Sequence, residues 1–327
     1  MSGSQRPTIH VVAAFTTDPE GRILMVRKRG SEIFMQPGGK PEPGEEPVPA
    51  LVRELAEELQ IEVDPDDLAS WGRFEADAAN EPGHHLTADV FALRLEGEVT
   101  AAAEIAEARW FTREEAHALG ERLAPLARRM LELPPVRSSF RPLRLTEPLQ
   151  TERLRLRLMT ASDVDAIHAY ESREDVAAYQ LFEPLSRAEV AERVAKRATA
   201  VRIGAEGDYF QLAVERLDDQ RVVGDLFLGL RSLDGLSAEI GWTFHPDHQG
   251  HGFATEAANA VLRLAFERLG LHRVHAELDP RNARSVALCR RLGMREEARF
   301  RQDLWFKGAW ADTGVYAMLA SDFSSSG

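Results

Sequence analysis

The sequence predicts two domains of the mixed α+β or α/β class. Its 327 residues exceed the length of one ordinary domain, which is about 100 to 200 residues. Prolines and a serine pair interrupt the hydrophobic pattern over 133–150, and strand-like segments alternate with helical ones on both sides. We therefore predict a first domain over residues 1–135, a linker over 136–150 and a second domain over 151–327.

The first domain alternates strands and helices in an order typical of a layered sandwich. Two strand-like segments flank the turn Asp18-Pro19-Glu20-Gly21. The leucines of the following helix recur at helical spacing, so one stripe of that helix is available for the core. Strands are predicted over 8–16, 22–27, 90–95 and 109–111, and helices over 49–59 and 114–131.

The sequence of the second domain predicts a mixed sheet with flanking helices. Its first strand alternates charged and apolar residues, and its helices are amphipathic. Gly293 ends the last predicted helix. Strands are predicted over 153–158, 209–214, 221–230, 237–244 and 273–278, and helices over 161–170, 187–198, 256–269 and 283–292.

The composition limits the classes of function. The chain carries 40 basic and 53 acidic side chains, and residues 1–137 hold 15 basic and 25 acidic ones. This acidic balance argues against general binding to nucleic acids or membranes, which requires clustered Lys and Arg. One cysteine excludes a disulfide framework and a cysteine-built zinc site. Because no apolar run reaches about 18 residues and no signal peptide is evident, we expect a cytoplasmic enzyme or binding protein.

A glutamate-rich helix follows a glycine loop in the first domain. Glu54, Glu57 and Glu58 stand at positions i, i+3 and i+4 and so project from one helical face. Hard oxygen ligands at this spacing suit Mg²⁺ or Mn²⁺, which usually engage substrate phosphates as well. A solvated acidic face is the other interpretation of the helix taken alone.

The wider pattern resembles the Nudix box. Gln60 is the one departure, since the family has glycine there, just past the helix. The resemblance implies an α/β/α sandwich that hydrolyses a nucleoside diphosphate linked to some group X, with Mg²⁺ or Mn²⁺ as cofactor. The matching positions are Gly39, Glu45, Arg53-Glu54-Leu55, Glu57-Glu58 and Ile61.

The resemblance also implies roles for individual carboxylates. Metal would be held by Glu54, Glu57 and Glu58, of which Glu54 and Glu57 are the catalytic candidates. Glu45 would pair with Arg53 and brace the loop. The metal would neutralise the pyrophosphate and lower the pKa of an attacking water. A further carboxylate is expected outside the box. Our candidate for it is Glu104, with Glu107 as a second, and plain surface charge is the alternative for both.

A second motif, QGHGFATE over 249–256, joins a predicted strand to a helix in the second domain. Gly250 and Gly252 let backbone N–H groups converge, and the helix N-terminus adds the positive end of its dipole. Such a turn can bind a pyrophosphate. It can equally be a simple strand-to-helix connection.

In its context this motif resembles the coenzyme A loop of the GNAT N-acetyltransferases. Asn282 and Ser285 open a later helix, as in that family, while 151–156 and 307–312 look like its RimJ/RimL-type branch. The resemblance implies a mixed sheet that binds acetyl-CoA, with pantetheine along 238–244. The implied cofactor-binding residues are Gln249, Gly250, His251, Gly252, Phe253, Ala254, Thr255, Asn282 and Ser285.

Acetyl transfer to an amine requires a proton acceptor for the amine and a proton donor for the departing thiolate. Ser285 is the candidate donor, and Tyr316 is an alternative donor or a core residue. Glu239 is the candidate proton acceptor. The alternative interpretation is that Glu239 is only a charged residue at the edge of a strand. Cys289 is expected to pack rather than react. The acceptor would be a protein N-terminus or a small-molecule amine, and the first domain could instead bind nucleotide only and regulate the transferase.

Overall fold

The computed structural model describes residues 7–79, 83–133 and 139–324. The chain divides into two compact units, Met1–Pro142 and Leu143–Gly327. Both units combine mixed sheets with helices, which confirms the predicted fold class. Within the described ranges no helix is long and apolar enough to cross a membrane.

The first unit is built on a six-stranded sheet. Its central strands β1 and β5 run parallel, from Thr8 opposite His85 to Thr17 opposite Arg94, and the other pairings are antiparallel. The strand order is β3-β2-β1-β5-β4, with β6 also paired to β2. The strands are β1 (Thr8–Thr17), β2 (Ile23–Lys28), β3 (Phe34–Met35), β4 (Ala69–Asp77), β5 (His85–Arg94) and β6 (Ile105–Phe111), and the helices are α1 (Pro47–Leu59), α2 (Arg113–Ala118) and α3 (Pro125–Glu132).

Helix α1 packs on this sheet through its leucine stripe. Leu51, Leu55 and Leu59 are fully buried in a core with Val12 and Leu24. Each such side chain contributes roughly 1.5–3 kcal/mol through burial. The helix ends at Gln60, which adopts the left-handed conformation (φ 55°) and donates its N–H to the carbonyl of Ala56. Gln60 thus takes the conformation that glycine would favour, so the departure from the box leaves the helix end intact.

The first unit differs from prediction at several places. Strands β5 and β6 begin earlier than the predicted 90–95 and 109–111, and the short strand β3 was not predicted. The predicted closing helix over 114–131 is two helices, α2 and α3, separated by a 3₁₀ turn over Gly120–Arg122. Gly120 has a positive φ and Pro125 can only begin a helix, so the helical period does not continue through them. Strand β4 was missed because its burial alternates only weakly after Trp71.

The second unit contains an eight-stranded sheet in the order β15-β16-β14-β13-β12-β11-β9-β8 and a separate pair, β7 with β10. Apart from β13 with β14, its pairings are antiparallel. The strands are β7 (Leu143–Arg144), β8 (Leu149–Gln150), β9 (Leu154–Leu158), β10 (Arg202–Ile203), β11 (Tyr209–Arg216), β12 (Val222–Ser232), β13 (Ser237–Phe244), β14 (Arg273–Leu278), β15 (Arg295–Phe306) and β16 (Ala309–Leu319). The helices are α4 (Val164–Glu171), α5 (Glu174–Ala177), α6 (Arg187–Ala198), α7 (Phe253–Arg263), α8 (Ala283–Arg291) and α9 (Ala320–Ser324).

The parallel strands β13 and β14 separate soon after they meet. They pair only from Ser237 opposite Arg273 to Glu239 opposite His275. The remainder of β13, through Phe244, stays paired with β12 on its other side. Half of β13 therefore has an edge without a strand partner from β14, next to the start of α7.

Several boundaries in the second unit also differ from prediction. Helix α7 begins at Phe253, directly after the glycine turn, and its predicted last turn is a π-helix over Leu264–Arg268. Residues 143–150, assigned to the linker from the sequence, form β7 and β8 and pair with β10 and β9. Residues 136–138 of that linker lie outside the described residues. The hairpin of β15 and β16 was not predicted. Strand β15 is exposed along nearly its whole length, so it has no alternation of buried and exposed residues that would reveal a strand.

Candidate functional sites

The glycine pair before α1 brings the loop against both β1 and the glutamate helix. The N–H groups of Val12 and Ala14 donate to the carbonyls of Gly39 and Pro37, each at 2.9 Å. A Cβ on Gly38 would lie 2.2 Å from the Val12 carbonyl oxygen, and one on Gly39 would lie 2.3 Å from the Glu54 carboxyl carbon. Gly38 therefore requires glycine, because its backbone is left-handed and a side chain would meet the β1 backbone. At Gly39 a side chain would displace the Glu54 carboxylate, so glycine there allows that carboxylate to approach the loop.

Arg53 holds three of the box carboxylates. Its Nε and Nη2 donate to the two oxygens of Glu45 at 3.1 and 2.9 Å, which is the pairing that the resemblance implies. Its Nη1 donates to Glu54 at 3.0 Å and lies 3.6 Å from Glu57. These carboxylates hold the pKa of Arg53 above its ordinary value. Glu54 is nearly buried, whereas the side chain of Glu57 is 58% exposed.

Glu58 is the buried member of the set. Its side chain is 3% exposed, and its Oε2 accepts the Gly38 N–H at 3.3 Å. Its Oε1 lies 3.6 Å from the Lys28 ammonium and finds no hydrogen-bond partner among the described residues. Burial raises the pKa of Glu58 to about 7, since the charged form loses solvation.

The two carboxylates proposed outside the box have different partners. Glu104, directly before β6, accepts a hydrogen bond from Lys28, the same ammonium that faces Glu58. Glu107 lies within β6 and pairs with Arg27 at 3.1 Å. Only Glu104 is thus brought toward the box, which favours it over Glu107.

The chemistry of this donor set fits a hard divalent cation, because it consists of carboxylates and one of them has a buried oxygen without a hydrogen bond. Glu54, Glu57 and Glu58 could hold such an ion, with Glu104 nearby. In the described parts of the chain, however, no three such side chains already converge as a metal cluster. Arg53 and Lys28 occupy the carboxylates instead.

The second site lies at the glycine turn before α7. Gly250 and Gly252 both have φ 82°, in the left-handed region that favours glycine. Gly252 is the N-cap of α7 and offers no side chain to the first amides of the helix, which by helix geometry lack partners within it. Together with the helix dipole, this backbone can accept an anion.

Thr151 and Arg153 secure this turn from the start of the domain. The Thr151 hydroxyl and the Arg153 backbone N–H donate to Glu256 at 2.6 and 2.9 Å. The Arg153 guanidinium also binds Glu256, donates to the His251 carbonyl at 3.0 Å and lies 4.9 Å from the centre of the Phe253 ring. The motif over 151–156 therefore has a physical role, which is to hold the first turn of α7.

The remaining residues of the predicted coenzyme loop line the same turn. Gln249 donates to the Phe244 carbonyl at 3.2 Å, which ties the loop to the end of β13. The rings of His251 and Phe253 stack 5.7 Å apart. Thr255 accepts a hydrogen bond from Arg291 of α8. Ala254, in the first turn of α7, contributes its backbone.

Helix α8 places Asn282 and Ser285 opposite β13. The Asn282 side chain is the N-cap and accepts the Ser285 N–H at 3.2 Å. The Ser285 hydroxyl accepts the indole N–H of Trp242 at 3.3 Å. Because the hydroxyl oxygen accepts this bond, its own hydrogen remains available to another acceptor.

Glu239 and His275 form the last pair before β13 and β14 separate. Glu239 is bound to Arg231 at 2.8 Å, so the proposed proton acceptor is already ion-paired. His275 was missed from the sequence, since a lone histidine within a strand gives no signal. Its Nδ1 finds no hydrogen-bond partner among the described residues. Burial lowers its pKa, so the imidazole is neutral at pH 7 and can accept a proton.

Tyr316 and Cys289 are both buried. The Tyr316 hydroxyl donates to Glu296 at 2.9 Å, and its pKa is raised by burial and by that carboxylate. Burial raises the pKa of the Cys289 thiol to about 12, so it stays protonated. This agrees with the expectation that Cys289 packs rather than reacts.

Two family models match this chain. The model described as a NUDIX domain matches residues 7–133, and the one described as an acetyltransferase (GNAT) domain matches 153–295. The uncharacterized N-acetyltransferase YoaA of Bacillus subtilis (strain 168) is 30% identical over 171 residues, which are 52% of this chain and 96% of that protein.

Further likenesses fall in the same half of the chain. The [ribosomal protein uS5]-alanine N-acetyltransferase of Escherichia coli (strain K12) is 31% identical over 85 residues, 26% of this chain and 44% of that enzyme. A solved GNAT-family acetyltransferase from Bacillus anthracis is 29% identical, with a TM-score of 0.48, over 53% of this chain and 99% of that one. Because YoaA is 30% identical and is covered over 96% of its length, the chain belongs to the GNAT acetyltransferase family, and it carries a NUDIX domain ahead of its acetyltransferase domain.

Proposed function

We propose that the chain is a bifunctional enzyme. The second unit would transfer an acetyl group from acetyl-CoA to an amine, and the first would hydrolyse a nucleoside diphosphate linked to a group X, with Mg²⁺ or Mn²⁺. Acetyl transfer is supported most by the separation of β13 from β14 beside the glycine turn. The proposed cleft would lie between this open strand edge and the helix end, which can accept an anion.

The coenzyme would bind along this cleft. Its pyrophosphate would accept hydrogen bonds from the amides of 250–255, where the two glycines leave the backbone accessible. The pantetheine arm would follow the free edge of β13 over 240–244 and bring the thioester to the point where the strands part. Arg153 would keep the helix end in place through Glu256.

Proton movement would involve two sides of the cleft. His275 is neutral, and its Nδ1 receives no hydrogen bond from the described residues, so it would accept the proton of the attacking amine, directly or through water. The carboxylate of Glu239 would favour the resulting cation, although it is also paired with Arg231. Ser285, oriented by Trp242, would donate its hydroxyl proton to the departing sulfur and regain a proton from the protonated His275 through water, so the products are the amide and the free thiol. Tyr316 is the less favoured donor, because its hydroxyl is already bonded to Glu296.

The acceptor would be a protein N-terminus or a small-molecule amine. The uS5-alanine enzyme supports a protein N-terminus as acceptor, over the shared 85 residues. The RimJ/RimL-like placement is proposed from the motifs at 151–156 and 307–312. A panel of N-terminal peptides and polyamines, incubated with acetyl-CoA and read by mass spectrometry, tests the proposal. Acetylation of at least one amine, lost in His275→Gln, is expected. Turnover unchanged in that variant would contradict the role of His275.

In the first unit, the arrangement of Glu54, Glu57 and Glu58 supports metal-dependent hydrolysis. The bound metal would neutralise the pyrophosphate and activate a water for attack. Arg53 would orient Glu54 and brace the loop through Glu45. A nucleoside-diphosphate panel with Mg²⁺ tests this, with Glu57→Gln as the variant that should be inactive.

One observation favours a second candidate, in which the NUDIX domain only binds nucleotide and regulates the transferase. The chain's own cations already pair with Glu54, Glu57, Glu58 and Glu104. A binding-only domain would change the acetylation rate when nucleotide is added, without consuming the nucleotide. Hydrolysis of any panel member by wild type but not by Glu57→Gln would exclude this candidate.

A further inference from the structure

Lys28, at the end of β2, lies between two carboxylates that come from different elements. Its ammonium is hydrogen-bonded to Glu104, before β6, and is 3.6 Å from Glu58 of α1. Its neighbour Arg27 is directed elsewhere, to Glu107 and to the Ser31 carbonyl. Lys28 is therefore the cation of β2 that serves the glutamate helix.

The charge of Glu58 depends on this contact. With 3% of its side chain exposed, the carboxylate has little water to solvate it. Its other contact is the Gly38 N–H at 3.3 Å, and its Oε1 has no hydrogen bond from any described residue. A buried carboxylate without a compensating cation is strongly unfavourable. Lys28 thus supplies the positive charge at the place where a metal ion would supply it.

We propose that Lys28 is a built-in counter-ion that competes with the divalent metal for Glu58 and Glu104. This inference rests on the proposed metal site of the first unit. In the metal-free protein, Lys28 neutralises the two carboxylates and so links α1 to the segment before β6. When the metal binds, the Lys28 ammonium must leave Glu58 and Glu104. Lys28 therefore lowers the affinity of the site for the metal.

Two physical consequences follow. Replacing Lys28 with methionine removes a positive charge within a few ångströms of the proposed ligands, which strengthens Mn²⁺ binding by at least about tenfold. The same replacement leaves Glu58 uncompensated when metal is absent, so the first unit unfolds at a lower temperature. Mn²⁺ restores that temperature, because it binds the folded site and not the unfolded chain.

The experiment compares full-length wild type, Lys28→Met and Arg27→Met. Mn²⁺ binding is measured by electron paramagnetic resonance, and unfolding by calorimetry with and without Mn²⁺. Arg27→Met is the matched control, since it removes a cation from the same strand but from a different carboxylate. The double variant Lys28→Met/Glu58→Gln removes both members of the buried pair and keeps the test valid if the single variant folds poorly.

The expected result is tighter Mn²⁺ binding and metal-restored stability in Lys28→Met only, with both effects lost in the double variant. Equal Mn²⁺ affinity in all three proteins would overturn the role of Lys28 while leaving the metal site standing. Absence of Mn²⁺ binding in wild type and Lys28→Met alike would overturn the metal site itself, and the counter-ion role with it.

Discussion

The candidate sites of the two units are built from opposite kinds of groups. In the NUDIX unit the candidate site is made of carboxylates, which are neutralised by Arg53 and Lys28. In the GNAT unit the site is made of backbone, from the turn at Gly250 and Gly252 and the free edge of β13. If the proposed functions hold, the first site would need an added cation before it could bind phosphate, whereas the second would not.

This difference teaches where each site is sensitive. Side-chain charge governs the NUDIX site, so variants that alter charge should change metal binding and pH dependence there. Backbone conformation governs coenzyme binding in the GNAT unit, so glycine substitutions should matter more than charge changes. The predictions below test this contrast from the largest expected effect to the smallest.

Removing a metal-facing carboxylate should have the largest effect. Glu57→Gln should lower nucleotide hydrolysis by about a thousandfold, since the metal contributes several kcal/mol to the transition state. Acetylation by the same protein should be unchanged, because Glu57 belongs to the other unit. Both rates are measured on one preparation, and a parallel fall in acetylation would show that the two sites are not independent.

The pH dependence of stability should report the burial of Glu58. Its pKa is about 7 when folded and near 4.5 when unfolded, so its favourable contribution is present below pH 4.5 and is lost as the pH rises through 7. The loss should amount to about 3 kcal/mol. Calorimetry at pH 5 and pH 8 measures it.

Glu58→Gln is the control for that measurement. Asp225, buried in the other unit, also has a raised pKa of about 6 and gives a trend of the same sign. The contribution of Glu58 is therefore the difference between wild type and Glu58→Gln. Identical pH dependence in the two proteins would mean that Glu58 is solvated in solution.

Replacing the proposed proton acceptor, His275, should have the next largest effect. His275→Gln should lower the kcat of acetylation by about a hundredfold and leave the KM for acetyl-CoA nearly unchanged. Because burial lowers the His275 pKa, wild-type activity should persist below pH 6.5, where an exposed imidazole would already be protonated. A pH–rate profile checks this, and an activity loss with a midpoint above pH 6.5 would contradict it.

A backbone change at the glycine turn before α7 should have the smallest effect of the four. Gly252→Ala forces an alanine into the left-handed region, which costs about 1 kcal/mol, and places a methyl 3.3 Å from Arg153. The KM for acetyl-CoA should rise about fivefold. Gly308→Ala has the same strain at φ 80° but lies in the β15–β16 hairpin, so it is the matched control. An equal rise in both variants would remove the argument for the turn.

The sequence predicted the elements that have a regular hydrophobic pattern or a clear capping residue. Helix α6 and strands β13 and β14 match their predicted bounds, since Ser186 caps the helix and polar and apolar residues alternate along the strands. The β15–β16 hairpin could not be predicted, because its exposed residues have no hydrophobic alternation. Local pattern also cannot show that two helices replace one when the break depends on Gly120 and Pro125.

The site was predictable where it follows a motif and not where it depends on contacts between distant segments. The glutamates of α1 and the glycine turn were identified from their spacing together with the resemblance of the wider motifs to known families. Lys28 and His275 could not, because each acquires its role from strands that the fold brings together, β2 with β6 and β13 with β14. A charged or titratable residue at the edge of a predicted strand, near a motif in the fold, is the signal to examine.

The most direct test of the bifunctional proposal is a crossed experiment with Glu57→Gln and His275→Gln. Each protein is incubated with a nucleoside-diphosphate panel and Mg²⁺, and separately with acetyl-CoA and the amine panel, and all products are read by mass spectrometry. We predict that each variant loses one reaction and retains the other. Nucleotides left intact by wild type, together with an acetylation rate that changes when they are added, would contradict the account and make the NUDIX unit a regulatory domain.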